Sequence, residues 1–161
     1  MSASAPNPSR PGPPPLAPFG LVLHHDGSWT HEGEPIVNRR LRERFDRAVR
    51  YLPDERKYVV QIGRFRGEIE VEEAGFFVRI FDPASGGIDL SDGTLERLDV
   101  ASLRVSPRDG ALLCTVKRDL VPEGLPARFH HAAHAELLNA LDEDGASLCV
   151  AGSRVPLPDL F

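Results

Sequence analysis

Residues 19–33, FGLVLHHDGSWTHEG, are the most informative stretch of this 161-residue sequence. Two short segments rich in apolar residues flank Asp26 and Gly27, and an Asp-Gly pair is favoured in the two-residue turn of a β-hairpin. The segments are too short for helices and have the alternating pattern of strands. The stretch therefore predicts a β-hairpin at the start of the folded part of the chain.

A two-residue turn also predicts which side chains of this hairpin share a face. It places His24 opposite Trp29 and Val22 opposite His31, and all four on one side of the ladder. The other face then carries Leu21, Leu23 and Thr30. An aromatic body beside a titratable imidazole makes Trp29 and His31 the candidate ligand-binding residues. In the simpler interpretation, Trp29 is a core anchor and His31 lies at its edge.

A helix is predicted over residues 39–52, with Asn38 as its N-cap. Its apolar residues fall within one arc at 3.6 residues per turn. The opposite arc is basic and carries Arg39, Arg40, Arg44, Arg47 and Arg50. Such a face could bind phosphate or RNA. A solvated face is favoured, because Glu43 precedes Arg47 by four residues, the spacing of a stabilising ion pair along a helix.

Further along the chain, apolar alternation predicts several short strands. They cover residues 58–62, 68–72 and 76–82, and a second hairpin joins residues 103–106 to 111–116. The segment 76–82, FFVRIFD, is apolar on both faces, which is typical of a central strand or one covered by a helix. The pattern indicates a β-rich sheet, sandwich or open barrel without an evident internal repeat.

A second helix is predicted over residues 127–141, followed by strands at 147–150 and 152–157. On that helix His130 and His134 would lie one above the other, as helical zinc ligands do. The glutamate of a hydrolytic HExxH motif is replaced by His131, and no third ligand is evident. A polar helix face is therefore favoured, and we assign no metal ligand and no cofactor.

No recognisable catalytic motif occurs in the sequence. It lacks GxSxG, SxxK and the glycine-rich loops that hold nucleotide phosphates. The two cysteines, Cys114 and Cys149, lack CxxC spacing, so reduced thiols are favoured over a disulfide. We therefore assign no catalytic residue.

Composition and the N-terminal sequence indicate the compartment and the partners of the protein. The formal charge of −5 argues against nucleic acid or an anionic membrane as the main partner. The N-terminus lacks a basic segment followed by an apolar core, so we expect no secretory signal and a cytoplasmic location. Seven of the 15 prolines lie in residues 1–18. This segment is predicted to be a disordered tail, although its PxxP spacings also fit a docking peptide.

These elements predict an α+β, β-rich fold in three parts. Residues 1–18 form the proline-rich tail, and residues 19–57 a small hairpin-plus-helix unit. Residues 58–161 form a larger β-rich unit, a sheet or open barrel with one helix near 127–141. Exposed edges of such sheets can pair with another copy of the chain, so a homo-oligomer is an open alternative.

Residues 26–36, DGSWTHEGEPI, resemble the opening of the bacterial DUF1285 family, which typically begins with a DG-x-W-x-H-x-G-x-x-I hairpin followed by a helix. The similarity continues through IEVEEA at 69–74, LPAR at 125–128 and VPLP at 155–158. It covers about residues 19–161. Residues 62–64, IGR, stand where many members have a PVE-like segment, so no role of that glutamate carries over. The run FHHAAHAEL at 129–137 replaces an expected Arg- and Tyr-rich helix.

The resemblance implies a two-part α+β protein of a family without an assigned function or catalytic residue set. It also implies a ligand-binding or signalling role. Trp29, His31, Gly33 and Ile36 match the family signature. Our hypothesis is a non-enzymatic, cytoplasmic module that binds an unknown small molecule at Trp29 and His31. The alternatives are a metal-assisted hydrolase that uses the His130–His134 pair, and a protein-interaction adaptor that uses the tail or the arginine helix.

Overall fold

The computed structural model describes residues 17–160 of the chain. The predicted tail lies outside these residues, except for Ala17 and Pro18, which belong to the first strand. The described residues form two six-stranded sheets, two α-helices and a two-stranded hairpin. The predicted α+β, β-rich class is therefore confirmed, with open sheets rather than a closed barrel.

The first sheet consists of two three-stranded antiparallel meanders joined by a helix. Its elements are β1 (Ala17–Leu23), β2 (Trp29–His31), β3 (Glu34–Pro35), α1 (Arg39–Ala48), β4 (Val49–Leu52), β5 (Lys57–Ile62) and β6 (Phe65–Val71). The strand order is β3-β2-β1-β6-β5-β4, and the two central strands, β1 and β6, run parallel. This sheet extends across residues 57 and 58, where the sequence places the boundary between the two folded parts.

The second sheet follows after a four-residue connection. Its elements are β7 (Phe76–Asp82), β8 (Gly87–Leu90), β9 (Leu95–Arg97), a short 3₁₀ helix (Val100–Ser102), β10 (Arg104–Val105), β11 (Leu112–Val116) and β12 (Leu125–Phe129). Its order is β10-β11-β12-β7-β8-β9, with β12 parallel to β7 at the centre. The chain ends with α2 (His131–Asn139), which packs against β7, and the hairpin of β13 (Ser147–Val150) and β14 (Ser153–Pro156).

The two sheets repeat one topology. In each sheet, the first meander begins with one central strand and the second meander ends with the other. These two central strands pair in parallel. A repeat that is not evident in the sequence is therefore present in the topology. The two halves differ in the connection between their meanders, which contains a ten-residue helix in one half and a three-residue 3₁₀ turn in the other.

The first helix is shorter than the sequence predicts. It begins as expected, with the Asn38 side chain accepting a hydrogen bond of 3.0 Å from the Leu41 N–H. It ends at Ala48 rather than residue 52, because Val49–Leu52 forms strand β4 and pairs with β5. Valine and tyrosine in this segment favour an extended backbone. The helical periodicity of the sequence extends to residue 52, but residues 49–52 pair with strand β5.

The second helix also starts later than predicted, at His131 rather than residue 127. Residues 125–129 form β12, in which Leu125, Ala127 and Phe129 are buried and the side chains between them are partly exposed. This two-residue alternation is that of a strand with one face in the core. Pro126 therefore lies inside a strand rather than before a helix.

A single hydrophobic core joins the two sheets. Its largest fully buried side chains come from both halves: Trp29, Phe76, Phe81, Leu23, Ile88 and Leu148. At the connection, Gly75 packs against the ring of Tyr58, where an added Cβ would lie 2.4 Å from a ring carbon. Burial raises the pKa of Tyr58, which keeps its phenol neutral.

Strand β7 is central, as the sequence predicts, and its first three residues are fully buried. A bulge between Val78 and Ile80 shifts its register with β8. Ile80 is consequently about half exposed, and Arg79 comes to lie between the two sheets.

Within the described residues, neither helix is long and apolar enough to span a membrane. Cys114 is buried and Cys149 exposed, and both are free thiols.

A partly buried ion pair ties β11 to the loop between β8 and β9. The ammonium of Lys117 lies 2.6 Å from Asp92 and 4.9 Å from the ring centroid of Phe76. The side chain of Asp92 is only 5% exposed. Although burial acts against it, hydrogen bonds from Lys117 and Thr94 hold the pKa of Asp92 below its ordinary value. The carboxylate depends on this pairing, because a buried charge without a partner is strongly destabilising.

Replacing Lys117 by methionine is expected to lower the free energy of unfolding by about 3 kcal/mol, because the Asp92 carboxylate loses its counter-ion. The matched control is Lys57→Met, which breaks the exposed pair with Glu68 and should cost less than about 1 kcal/mol. Urea denaturation followed by circular dichroism measures both. Equal losses in the two variants would contradict a structural role for the Lys117–Asp92 pair.

Candidate functional site

The register of the first hairpin differs from the one predicted. Trp29 pairs with Leu23 and His31 with Leu21, so five residues, His24 to Ser28, form the loop. The loop is longer because the Asp26 carboxylate accepts hydrogen bonds from the backbone N–H and the hydroxyl of Ser28, at 3.0 and 2.7 Å. The prediction that His24 faces Trp29 is therefore wrong by one residue.

With this register, Trp29 is a core residue with a polar anchor. Its side chain is 1% exposed, and its ring lies 5.4 Å from that of Phe45. The indole N–H donates a hydrogen bond of 2.8 Å to Asp46 Oδ1. The other oxygen of Asp46 accepts a hydrogen bond of 2.9 Å from Arg79. One carboxylate thus connects the first hairpin, α1 and the central strand of the second sheet.

His31, the second candidate residue, is exposed and lies on a different surface. It lines an apolar groove of about 340 Å³ together with Leu21, Ile36, Leu41 and Phe45. Trp29 does not line this groove. The structure therefore does not bring the indole N–H and the imidazole to one cavity, and their joint role in binding stays a prediction.

A cavity lies beside Asp46, between the first hairpin, α1 and the second sheet. We call it the arginine cavity. Its volume is about 320 Å³, and it is lined by Asp26, Gly27, Ser28, Arg39, Arg42, Glu43, Asp46, Arg79 and His130. Three separate parts of the chain supply arginine or aspartate side chains to it. It is therefore a place where a small polar ligand could contact both sheets.

The arginines of this cavity are unequally engaged. Arg39 donates to Glu43 at 3.0 Å, and Arg79 to Asp46 at 2.9 Å. In the described part of the chain, the Nε atoms of Arg42 and Arg79 are buried without a hydrogen-bond partner. Burial raises the pKa of Asp46, although the hydrogen bond from Trp29 and the charge of Arg79 oppose the shift. The cavity is thus rich in donors and short of acceptors at Arg42.

A second recess adjoins the arginine cavity and shares Asp26 and His130 with it. We call it the histidine recess. Its volume is about 250 Å³, and its other lining residues are Phe77, Asp109, Gly110, Ala111, Arg128, Phe129, His131 and His134. The ring of His130 lies 5.5 Å from that of Phe77. Burial, followed by the charge of Arg79, lowers the pKa of His130, so its imidazole is neutral at pH 7.

Comparisons with known proteins identify the architecture that carries these cavities. A DUF1285 family protein from Silicibacter pomeroyi DSS-3 matches 91% of this chain and 83% of its own with a TM-score of 0.61, at 18% identity. The chain has the DUF1285 fold. A DUF1285 family protein from Shewanella baltica OS155 matches 80% of this chain and 96% of its own, with a TM-score of 0.52 and 18% identity. No family model and no curated protein matches the sequence.

The resemblance seen in residues 26–36 is thereby confirmed for the DUF1285 fold. The signature residue Trp29 lies at the joint of the two sheets of this fold, where it bonds to Asp46. Ile36 packs at the edge of the core, as its apolar character suggests. Gly33 adopts a φ of +86° in the tight turn between β2 and β3, a conformation that favours glycine.

Only His134 of the predicted histidine pair lies within α2. His130 immediately precedes α2, and its carbonyl accepts the first helical hydrogen bond, from the N–H of His134. Among residues 17–160, no group of three or more His, Cys, Asp or Glu side chains is arranged to hold a metal ion. His130 contributes instead to both cavities.

A network of charged side chains links the loop of the first hairpin to Glu72, at the start of the connection between the two sheets. Glu72 accepts hydrogen bonds from the side chain and the backbone N–H of His25 and from the side chain of His24. These bonds, the one from the His25 side chain above all, lower the pKa of Glu72 to about 2. Next to it, Arg128 makes two hydrogen bonds to Asp109, at 3.1 and 2.7 Å.

We expect Glu72→Gln to remove a stabilising contribution that depends on pH. Because the pKa of Glu72 is lower in the folded state, its carboxylate stabilises the fold. This stabilisation is complete at pH values above the ordinary pKa of 4.5 and is lost as the pH falls towards 2. The difference in urea midpoint between wild type and variant should therefore narrow between pH 5 and pH 2.5. The exposed neighbour Glu70 provides the control: Glu70→Gln should leave the pH profile unchanged. A constant difference across this range would refute the assignment.

Proposed function

We propose that this protein binds a small molecule carrying a phosphate or carboxylate group, and that the arginine cavity is its binding site. The observation that supports this most directly is the state of Arg42. Its guanidinium lines the cavity, and its buried Nε has no hydrogen-bond partner in the described part of the chain. Buried donors in native proteins are rarely left without an acceptor. Guanidinium groups match the geometry of carboxylate and phosphate oxygens.

The position of the cavity supports a regulatory use of such binding. Arg42 belongs to α1 in the first half of the chain, whereas Arg79 belongs to β7 in the second. An anion bound by Arg42 beside the Arg79–Asp46 pair would contact residues of both halves and stabilise their joint. Occupancy would then alter how firmly the two sheets are held together, which is the physical requirement for a signalling module.

In this proposal Trp29 is a positioning residue and makes no contact with the ligand. It holds Asp46, and Asp46 in turn holds Arg79 at the cavity. Trp29 is also the single tryptophan of the chain. Its fluorescence therefore reports on this site without interference from other indoles. His31 belongs to the separate apolar groove and has no part in binding the anion.

Titration with phosphate, acetate, propionate and succinate at constant ionic strength tests the proposal. We expect a saturable change in Trp29 fluorescence with at least one of these anions. Arg42→Gln should weaken that binding about tenfold or more, because a hydrogen bond to a charged group contributes roughly 1.5–3 kcal/mol.

The matched control is Arg40→Gln, an exposed arginine on the same helix that does not line the cavity. This variant should bind as tightly as wild type. If none of the anions gives a saturable response, or if both variants lose affinity equally, the arginine cavity is not an anion site.

A further inference from the structure

We propose that the ligand of the arginine cavity is a zwitterion of the α-amino acid class, whose carboxylate binds Arg42 and whose ammonium binds Asp26. This inference rests on the proposed function and specifies the class of molecule. It follows from the ion pairs already formed among the lining residues and from the charged side chains that take part in none of these pairs.

The lining of the cavity carries equal numbers of opposite formal charges. Three arginines, at 39, 42 and 79, face three acidic residues, at 26, 43 and 46. Two pairs are already formed, Arg39 with Glu43 and Arg79 with Asp46. Within residues 17–160, Arg42 and Asp26 make no ion pair within 4.0 Å. The cavity therefore offers one unpaired cation and one unpaired carboxylate.

Asp26 is held in place for such a contact. Its Oδ1 accepts two hydrogen bonds from Ser28, and these bonds lower the pKa of the carboxyl group, which keeps it charged. Its Oδ2 has no hydrogen-bond partner in the described part of the chain. Asp26 is exposed, so its open oxygen is accessible to an ammonium group, while the bonds from Ser28 fix the other oxygen.

The same charge balance argues against a ligand of high negative charge. A polyanion at Arg42 would also face the carboxylates of Asp26, Glu43 and Asp46, at a cost from like-charge repulsion. His130, the remaining titratable side chain of the lining, is neutral at pH 7 and adds no positive charge. A ligand without net charge but with two opposite ionic groups meets both unpaired residues at once.

The volume of the cavity fits this class as well. About 320 Å³ lies at the lower end of the range for sites that hold small molecules. The histidine recess adjoins the arginine cavity at Asp26 and His130 and has a volume of about 250 Å³. An amino acid bound by its two ionic groups at Arg42 and Asp26 could therefore extend its side chain towards Phe77 and the ring of His130.

The test compares L-amino acids other than proline with their own des-amino carboxylates, such as alanine with propionate, and follows tryptophan by calorimetry alone. Binding is measured by isothermal titration calorimetry and by Trp29 fluorescence. We expect at least one amino acid to bind about tenfold or more tightly than its des-amino partner, because the ammonium adds a charge-assisted hydrogen bond.

The variant Asp26→Asn identifies the carboxylate responsible. The asparagine oxygen can still accept both hydrogen bonds from Ser28, so the loop should keep its structure. The preference for the amino acid should disappear, and the des-amino carboxylate should bind as well as before or better. The control is Asp82→Asn, because Asp82 holds a similar turn through Ala84 and Ser85 away from the cavity. It should keep the wild-type preference.

Three results would overturn the proposal, and one of them also overturns the proposed function. If carboxylates bind through Arg42 and no amino acid binds more tightly, the zwitterion is wrong and the anion site stands. If an amino acid is preferred but Asp26→Asn keeps that preference, the ammonium is not held by Asp26. If neither carboxylates nor amino acids bind, both proposals fail.

Discussion

The carboxylate of Asp46 is the interaction on which the joint of this molecule depends. It accepts a hydrogen bond from the indole of Trp29 with one oxygen and from the guanidinium of Arg79 with the other. The first partner belongs to the N-terminal hairpin and the second to the central strand of the other sheet. Burial of Asp46 is tolerated because both oxygens are satisfied. The arginine cavity lies beside this junction, so the contact that joins the halves also shapes the candidate site.

Local signals in the sequence predicted much of the fold. The strand at 76–82, the cap at Asn38 and the turn at Asp109-Gly110 follow from side chains within a few residues, and all are present. The errors arise where distant partners decide. Residues 49–52 continue the helical pattern but pair with β5, and the helix predicted from residue 127 begins at 131 because β12 pairs with β7 and β11. The hairpin register differs by one residue for a local reason instead, because Asp26 bonds to Ser28 within the loop.

The candidate site was harder to predict, because its residues are far apart in the sequence. The sequence predicts Trp29 as a ligand-binding residue because of its aromatic ring. In the structure Trp29 does not line the arginine cavity but donates a hydrogen bond to Asp46, which does. Arg42 does not belong to the basic arc predicted for the first helix, and no pattern in the sequence distinguishes it. The signal for Arg79 was present, since a charged residue between Phe77 and Phe81 needs a partner, but only the fold identifies that partner as Asp46.

The repeated topology has a consequence for stoichiometry. Two halves with the same strand order present similar scaffolds, and such duplicated architectures can bind two ligands related by pseudo-symmetry. Here the helix that supplies Arg39, Arg42 and Asp46 has its counterpart in a three-residue 3₁₀ turn. The second half therefore lacks the wall from which the cavity is built. Among residues 17–160, the arginine cavity is therefore built on an element that the second half does not repeat.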